Sequence, residues 1–133
     1  MANLTSNQAK QLSENFRFMA SAIQEFRRTN WDLLTPDERL KLKETRDELL
    51  SKCEDILASS TTLIMDEVSD SLGKINAVTA DIKGTISRLQ NIQKGLNVAA
   101  ALLALGIAIT ARDPQNISKS IKSVFETWTA SAV

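Results

Sequence analysis

Apolar residues recur at helical spacing along almost the whole chain. Leu12, Phe16, Met19, Ile23 and Phe26 follow one another at steps of four, three, four and three residues. That spacing puts them on one face of a helix predicted over 6–28, with Lys10, Glu14, Arg17, Glu25 and Arg27 elsewhere on its surface. A connection through Asn30, Trp31 and Leu34 leads to Thr35-Pro36-Asp37-Glu38, where a helix start is signalled several times over. Thr35 suits the N-cap, and Pro36 the first helical position, where no N–H is needed. Glu38 suits the capping box, and both acids face the positive end of the helix dipole.

Beyond Pro36 the pattern runs on without an obvious stop. Leu42, Leu49, Cys53, Ile56 and Leu63 keep one register, and Leu50, Leu57, Ile64 and Val68 widen the stripe. Ile75, Val78, Ile82, Leu89, Ile92, Leu96, Ala99 and Leu103 then step along one face, with Ile86 beside it. A single helix over 36–111 would be about 110 Å long, so a fold-back is expected. Gly73, following Ser69-Asp70-Ser71-Leu72, suits a C′ position and puts the reversal there; Ser59-Ser60-Thr61-Thr62 is the second candidate. Asp113-Pro114 repeats the start signal and opens a helix over 114–129 with Ile117, Ile121, Val124 and Trp128 on its buried stripe.

Glycine and proline are scarce and β-branched residues do not alternate with polar ones over five residues as in a strand, so the fold class is all-α. The expected architecture is a four-helix bundle built on a long antiparallel hairpin, 36–72 against 74–111, with shorter flanking helices over 6–28 and 114–129. Residues 1–133 then form one domain: a four-helix body and a two-helix projection around 59–94.

Two features of the third helical stretch stand out. All four glycines, Gly73, Gly84, Gly95 and Gly106, are eleven residues apart, which lines them up along one side of a helix. An interior glycine costs about 1 kcal/mol against alanine, so a closely approaching neighbour is expected there, or the spacing is coincidence. The second feature is the run GLNVAAALLALGIAITA over 95–111, the only long stretch without a charge, bracketed by Lys94 and Arg112. Three readings of it stay open: a central helix surrounded by the other three, a conditional membrane element, or a homo-oligomer interface. As a helix it would be about 25 Å long, at the lower edge of what spans a bilayer core.

Composition narrows the chemistry. Sixteen basic residues balance sixteen acidic ones, which argues against nucleic acid as the main partner. With no histidine and no tyrosine, imidazole metal sites and histidine-based acid–base schemes are excluded. The lone Cys53 cannot form an internal disulfide, and its apolar-register position reads as a buried thiol. Trp31 in a loop and Trp128 in a last turn read as packing residues. Asp66, Glu67 and Asp70 lack the glycine turn and fixed loop of a calcium site. MANLTSNQAK shows no charged segment followed by an apolar one, so a cytoplasmic location is expected.

No catalytic motif, cofactor signature or small-molecule substrate site is legible, and no metal is expected. The expected function is therefore non-enzymatic: coiled-coil-like helix–helix association with a protein partner or with copies of the same chain. Ile64, Val68, Ile86 and Ile92, on the projection, are the expected contact residues. The alternative is a membrane-active bundle, pore-forming or cell-death-effector-like, peripheral to a membrane until it inserts. Leu96, Leu102, Leu103, Leu105, Ile107 and Ile109 would then enter the bilayer. Lys83, Arg88, Lys94 and Arg112 would meet anionic headgroups, since no acid lies between Asp81 and Asp113.

Overall fold

The computed structural model describes residues 2–59, 63–65, 68–86 and 91–129. Their elements are β1 (Ala2–Asn3), α1 (Ser6–Thr29), a 3-10 turn (Trp31–Leu33), α2 (Pro36–Ala58), β2 (Ile64–Met65), α3 (Val68–Thr85), α4 (Ile92–Thr110) and α5 (Pro114–Thr129). The fold is all-helical, closed at one end by a two-residue antiparallel ladder, Ala2 opposite Met65 and Asn3 opposite Ile64. Leu4 N–H extends it to the Leu63 carbonyl at 3.0 Å, and both leucines are buried.

Local chemistry starts the helices where the sequence says. Thr5 and Gln8 form a capping box on α1, and Thr35 and Glu38 form one on α2, where Pro36 is the first residue. Such a cap contributes about 1 kcal/mol. Asp113 accepts the Asn116 N–H at 3.3 Å and so caps α5, which begins at Pro114.

The long hairpin does not form. Instead of 36–72 and 74–111 there are three helices, and α2 stops at Ala58 with Ser59 as its C-cap. The chain thus leaves α2 at Ser59, the first residue of the second candidate, whose residues 60–62 lie outside the described residues, whereas Gly73 lies inside α3. The stretch 74–111 is also divided: α3 ends at Thr85, and α4 starts afresh where the Asn91 side chain accepts the Lys94 N–H at 3.0 Å. Apolar stripes that stay in phase across a break look like one long helix. Nothing in the spacing itself marks the break.

Side-chain pairs fix the directions of the helices. Arg27 Nε donates to the Arg39 carbonyl, Arg46 Nη1 to Gln24 Oε1, and Ser13 Oγ to the Cys53 carbonyl, so α1 and α2 are antiparallel. Asn15 Nδ2 donates to Asn76 Oδ1, and Lys83 lies over the Phe18 ring further along, so α3 runs parallel to α1. The rings of Phe26 and Phe16 face Gly95 and Gly106, so α4 runs against α1. The five helices therefore alternate up and down. One apolar core draws side chains from all of them, with Phe16, Phe26, Leu12, Met19 and Ile23 of α1 among its largest fully buried members. Each such side chain contributes about 1.5–3 kcal/mol by leaving water.

α1 packs against α2, α3 and α4, whereas α4 packs against α1, α2 and α5 and keeps one side exposed. Nor does α3, the described helix within the expected projection, stand clear of the body: Leu72, Ile75, Val78 and Ile82 bury its inner face against α1 and α5. One buried polar group is left over, the hydroxyl of Thr79, which has no hydrogen-bond partner among the described residues.

Candidate functional site

The expected contact residues do not form a common surface. Ile86 is 2% exposed and belongs to the core, while Val68 and Ile92 are half-buried against it. Val68 opens α3 and Ile86 follows its end, which puts them about 27 Å apart. The backbone of Ile64 pairs in β2; its side chain lies outside the described residues.

The six residues assigned to a bilayer divide by face. Leu102, Leu105 and Ile109 are buried, Leu96 and Leu103 are half-buried, and Ile107 is 51% exposed. The basic residues are not one apron either. Lys83 Nζ lies 4.2 Å from the Phe18 ring centroid, and Lys94 Nζ 5.3 Å from that of Trp128. Arg112 stands at the opposite end of α4, about 27 Å from Lys94. There its φ of 59° and the bonds Asp113 N–H to the Ala108 carbonyl and Arg112 N–H to the Ile109 carbonyl form a Schellman turn. Arg88 lies outside the described residues.

What the fold does assemble is an open face on α4. Gly95, Val98, Ala99, Leu102, Leu105, Gly106 and Ile109 turn inward, and the two glycines leave room for aromatic rings. A Cβ at Gly95 would collide with the Phe26 ring at Cζ, and one at Gly106 would stand 3.2 Å from Phe16 Cε1 and from Lys52 Cγ. Around Gly73 and Gly84 a Cβ would meet nothing within 4 Å. Half of the eleven-residue repeat thus has a packing reason, and the neighbour that comes close is a ring rather than a backbone.

The other side of α4 is exposed at Gln93, Asn97, Ala100, Ala104, Ile107 and Ala111, at steps of four, three, four, three and four. With half-buried Leu96 and Leu103 this face carries no charge. Gln93 Nε2 donates to Asn97 Oδ1 at 2.9 Å along it. Lys41, Leu42 and Thr45 of α2 complete a shallow apolar groove of about 190 Å³ with Leu96, Leu103 and Ile107. Sequence reasoning did not anticipate those α2 residues, because the two helices are not neighbours in the chain. The 4-3 spacing of small residues on α4 is the signal that was available.

Other singled-out residues have structural roles. Trp31 is held between guanidinium groups, Arg27 at 4.8 Å and Arg39 at 4.4 Å from its ring centroid, which clamps the α1–α2 connection. The Trp128 indole N–H donates to Asp81 Oδ2, joining α5 to α3. Asp70 pairs with Lys74 at 3.2 Å, whereas Asp66 and Glu67 lie outside the described residues. The Cys53 thiol donates to the Ser13 carbonyl at 3.2 Å while Ser13 Oγ returns a bond to the Cys53 carbonyl. Burial pushes this thiol up from its ordinary range, against the smaller opposing pull of Ser13. Among the described residues no group of three or more Cys, Asp or Glu is placed to hold a metal ion.

Comparison with protein-family models, with curated proteins and with solved structures returns no match to this chain.

Proposed function

We propose that this chain is a non-enzymatic helical bundle that works by associating with another helix, and that the open face of α4 with the adjoining rim of α2 is the surface it uses. The observation that carries the reading is the uncharged apolar side of α4 left uncovered by the other four helices. Soluble surfaces seldom leave a whole helix face without charge unless something docks there. The alanines at 100 and 104 let another helix axis approach closely, and Leu96, Leu103 and Ile107 supply apolar area.

The test is Ala104→Arg, at an exposed position where the new side chain does not disturb the core. The wild-type chain, immobilised in lysate from its own source, should retain a protein that the variant loses while melting at the same temperature. Identical capture by both, or capture lost only together with folding, would overturn the reading.

A second reading has its own support. Over an 18-residue window the mean hydropathy of α4 is 1.7, and only 44% of that window is buried, so the helix is long and apolar enough to cross a membrane. Release of α4 from α1, α2 and α5 would then precede insertion. Dye leakage from anionic vesicles that disappears in a folded Leu103→Arg variant would favour it. Absence of both leakage and vesicle co-sedimentation at low salt would remove it.

A further inference from the structure

Resting on the proposed association through α4, we infer that the occupant of this face is a second copy of the same chain, docked antiparallel about a two-fold axis beside Leu102. Two independent registers point to that axis. On α4 and its C-cap residue Ala111 the exposed positions are symmetric about Leu102: Ala100 and Ala104 lie two residues to either side, Asn97 and Ile107 five, Gln93 and Ala111 nine. A two-fold axis there brings each of these onto its counterpart and forms a continuous seam. The seam is small at its centre, where the backbones come closest, and it needs no oppositely charged partner because it has no charge.

The second register lies on α2, whose charges flank the seam. Lys52 sits level with Gly106, as the closeness of its side chain to that glycine shows, so Glu48 sits level with Leu102. Lys41 and Asp55 lie seven residues to either side of Glu48, and Glu44 and Lys52 lie four to either side. In each pair the two charges have opposite sign. An antiparallel two-fold places α2 beside α2 of the partner, which sets Lys41 opposite the partner's Asp55 and Glu44 opposite the partner's Lys52. A parallel two-fold would instead put α2 beside α5 and forgo this matching. Only the two Glu48 carboxylates, meeting on the axis, oppose each other. Lys41, Glu44 and Glu48 form no ion pair within the chain among the described residues, while their counterparts Lys52 and Asp55 pair with each other at the long distance of 3.9 Å, a contact that the dimer would exchange for the two across the seam.

The size of the face sets the strength. Two helices side by side, about 28 Å long and about 18 Å across, bury about 500 Å² on each copy, or about 1,000 Å² in all. That is the lower limit for a specific interface, so the dimer should dissociate in the micromolar range.

Sedimentation equilibrium of the purified 133-residue chain, from low micromolar to several hundred micromolar, tests the inference. The wild type should pass from monomer to dimer. Lys41→Glu and Asp55→Lys should each raise the dissociation constant about tenfold, and the two together should restore it. Glu48→Gln should tighten the dimer several-fold by removing the repulsion on the axis. A monomer at every concentration, no recovery in the double variant, or no gain from Glu48→Gln would each overturn the inference. If the chain is monomeric but Ala104→Arg still abolishes capture of a different protein, the second copy is refuted and association through α4 stands. If Ala104→Arg changes neither readout, both fall.

Discussion

The four glycines offer the most direct check on how α4 is seated, because one substitution should have opposite signs at positions that look equivalent in the sequence. At Gly73, inside α3 and exposed, an added Cβ meets nothing within 4 Å. Gly73→Ala should therefore show only the gain in helix propensity, about 0.8–1 kcal/mol. At Gly95 the same gain is opposed by a Cβ that collides with Cζ of Phe26, itself 1% exposed and hemmed in by the core. Overpacking of a closed site costs about 1–3 kcal/mol, and a ring with nowhere to go argues for the upper part of that range. Gly95→Ala should then destabilise by about 1–2 kcal/mol net. Gly106→Ala should fall between them, near zero: its Cβ would stand 3.2 Å from Phe16 Cε1 and from Lys52 Cγ, and the lysine stem yields easily. For a domain of this length 1 kcal/mol moves the melting temperature by about 3–4 °C. Scanning calorimetry should find Gly73→Ala about 3 °C above the wild type and Gly95→Ala about 4–7 °C below it. A Gly95→Ala variant as stable as Gly73→Ala would mean that α4 does not rest on Phe26, and the position of its open face would have to be abandoned.

Further predictions concern single groups. Arg112 holds a left-handed backbone that glycine adopts without strain, so Arg112→Gly should stabilise by about 0.5–1 kcal/mol, read as a higher urea midpoint at unchanged slope. Thr79→Val keeps the shape of the side chain and removes a buried hydroxyl that has no partner among the described residues, so it should stabilise by about 1 kcal/mol in the same assay. Cys53, buried and with its thiol pushed up by burial, should resist maleimide in the native state and react fully in urea. Because its folded value is raised, the stability it contributes is complete below the ordinary thiol range and declines as pH climbs through the folded value. Cys53→Ser should flatten that alkaline decline in melting temperature; an equally steep decline would assign it to other groups.

Helical character and the starts of α2 and α5 were legible in the sequence because they depend on contacts a few residues apart. Thr35 reaches Glu38 and Asp113 reaches Asn116 whatever the rest of the chain does. The ends of α2 and α3 were not legible, since no glycine or proline follows either helix and the apolar register passes through unbroken. Ser59-Ser60-Thr61-Thr62 and Asn91 were the faint cues: hydroxyl-bearing and asparagine residues that favour caps over helix interiors. The candidate site was half legible. The uncharged run over 95–111 and its small residues can be read directly, but which side of that helix meets water cannot. That side depends on Phe16 and Phe26 seating against Gly106 and Gly95, and on Lys41, Leu42 and Thr45 arriving beside Leu96 and Leu103 from a helix about fifty residues earlier. Periodicity records that a face is apolar. Burial of that face is a property of the surfaces that come to cover it, and only the tertiary packing of distant helices decides it.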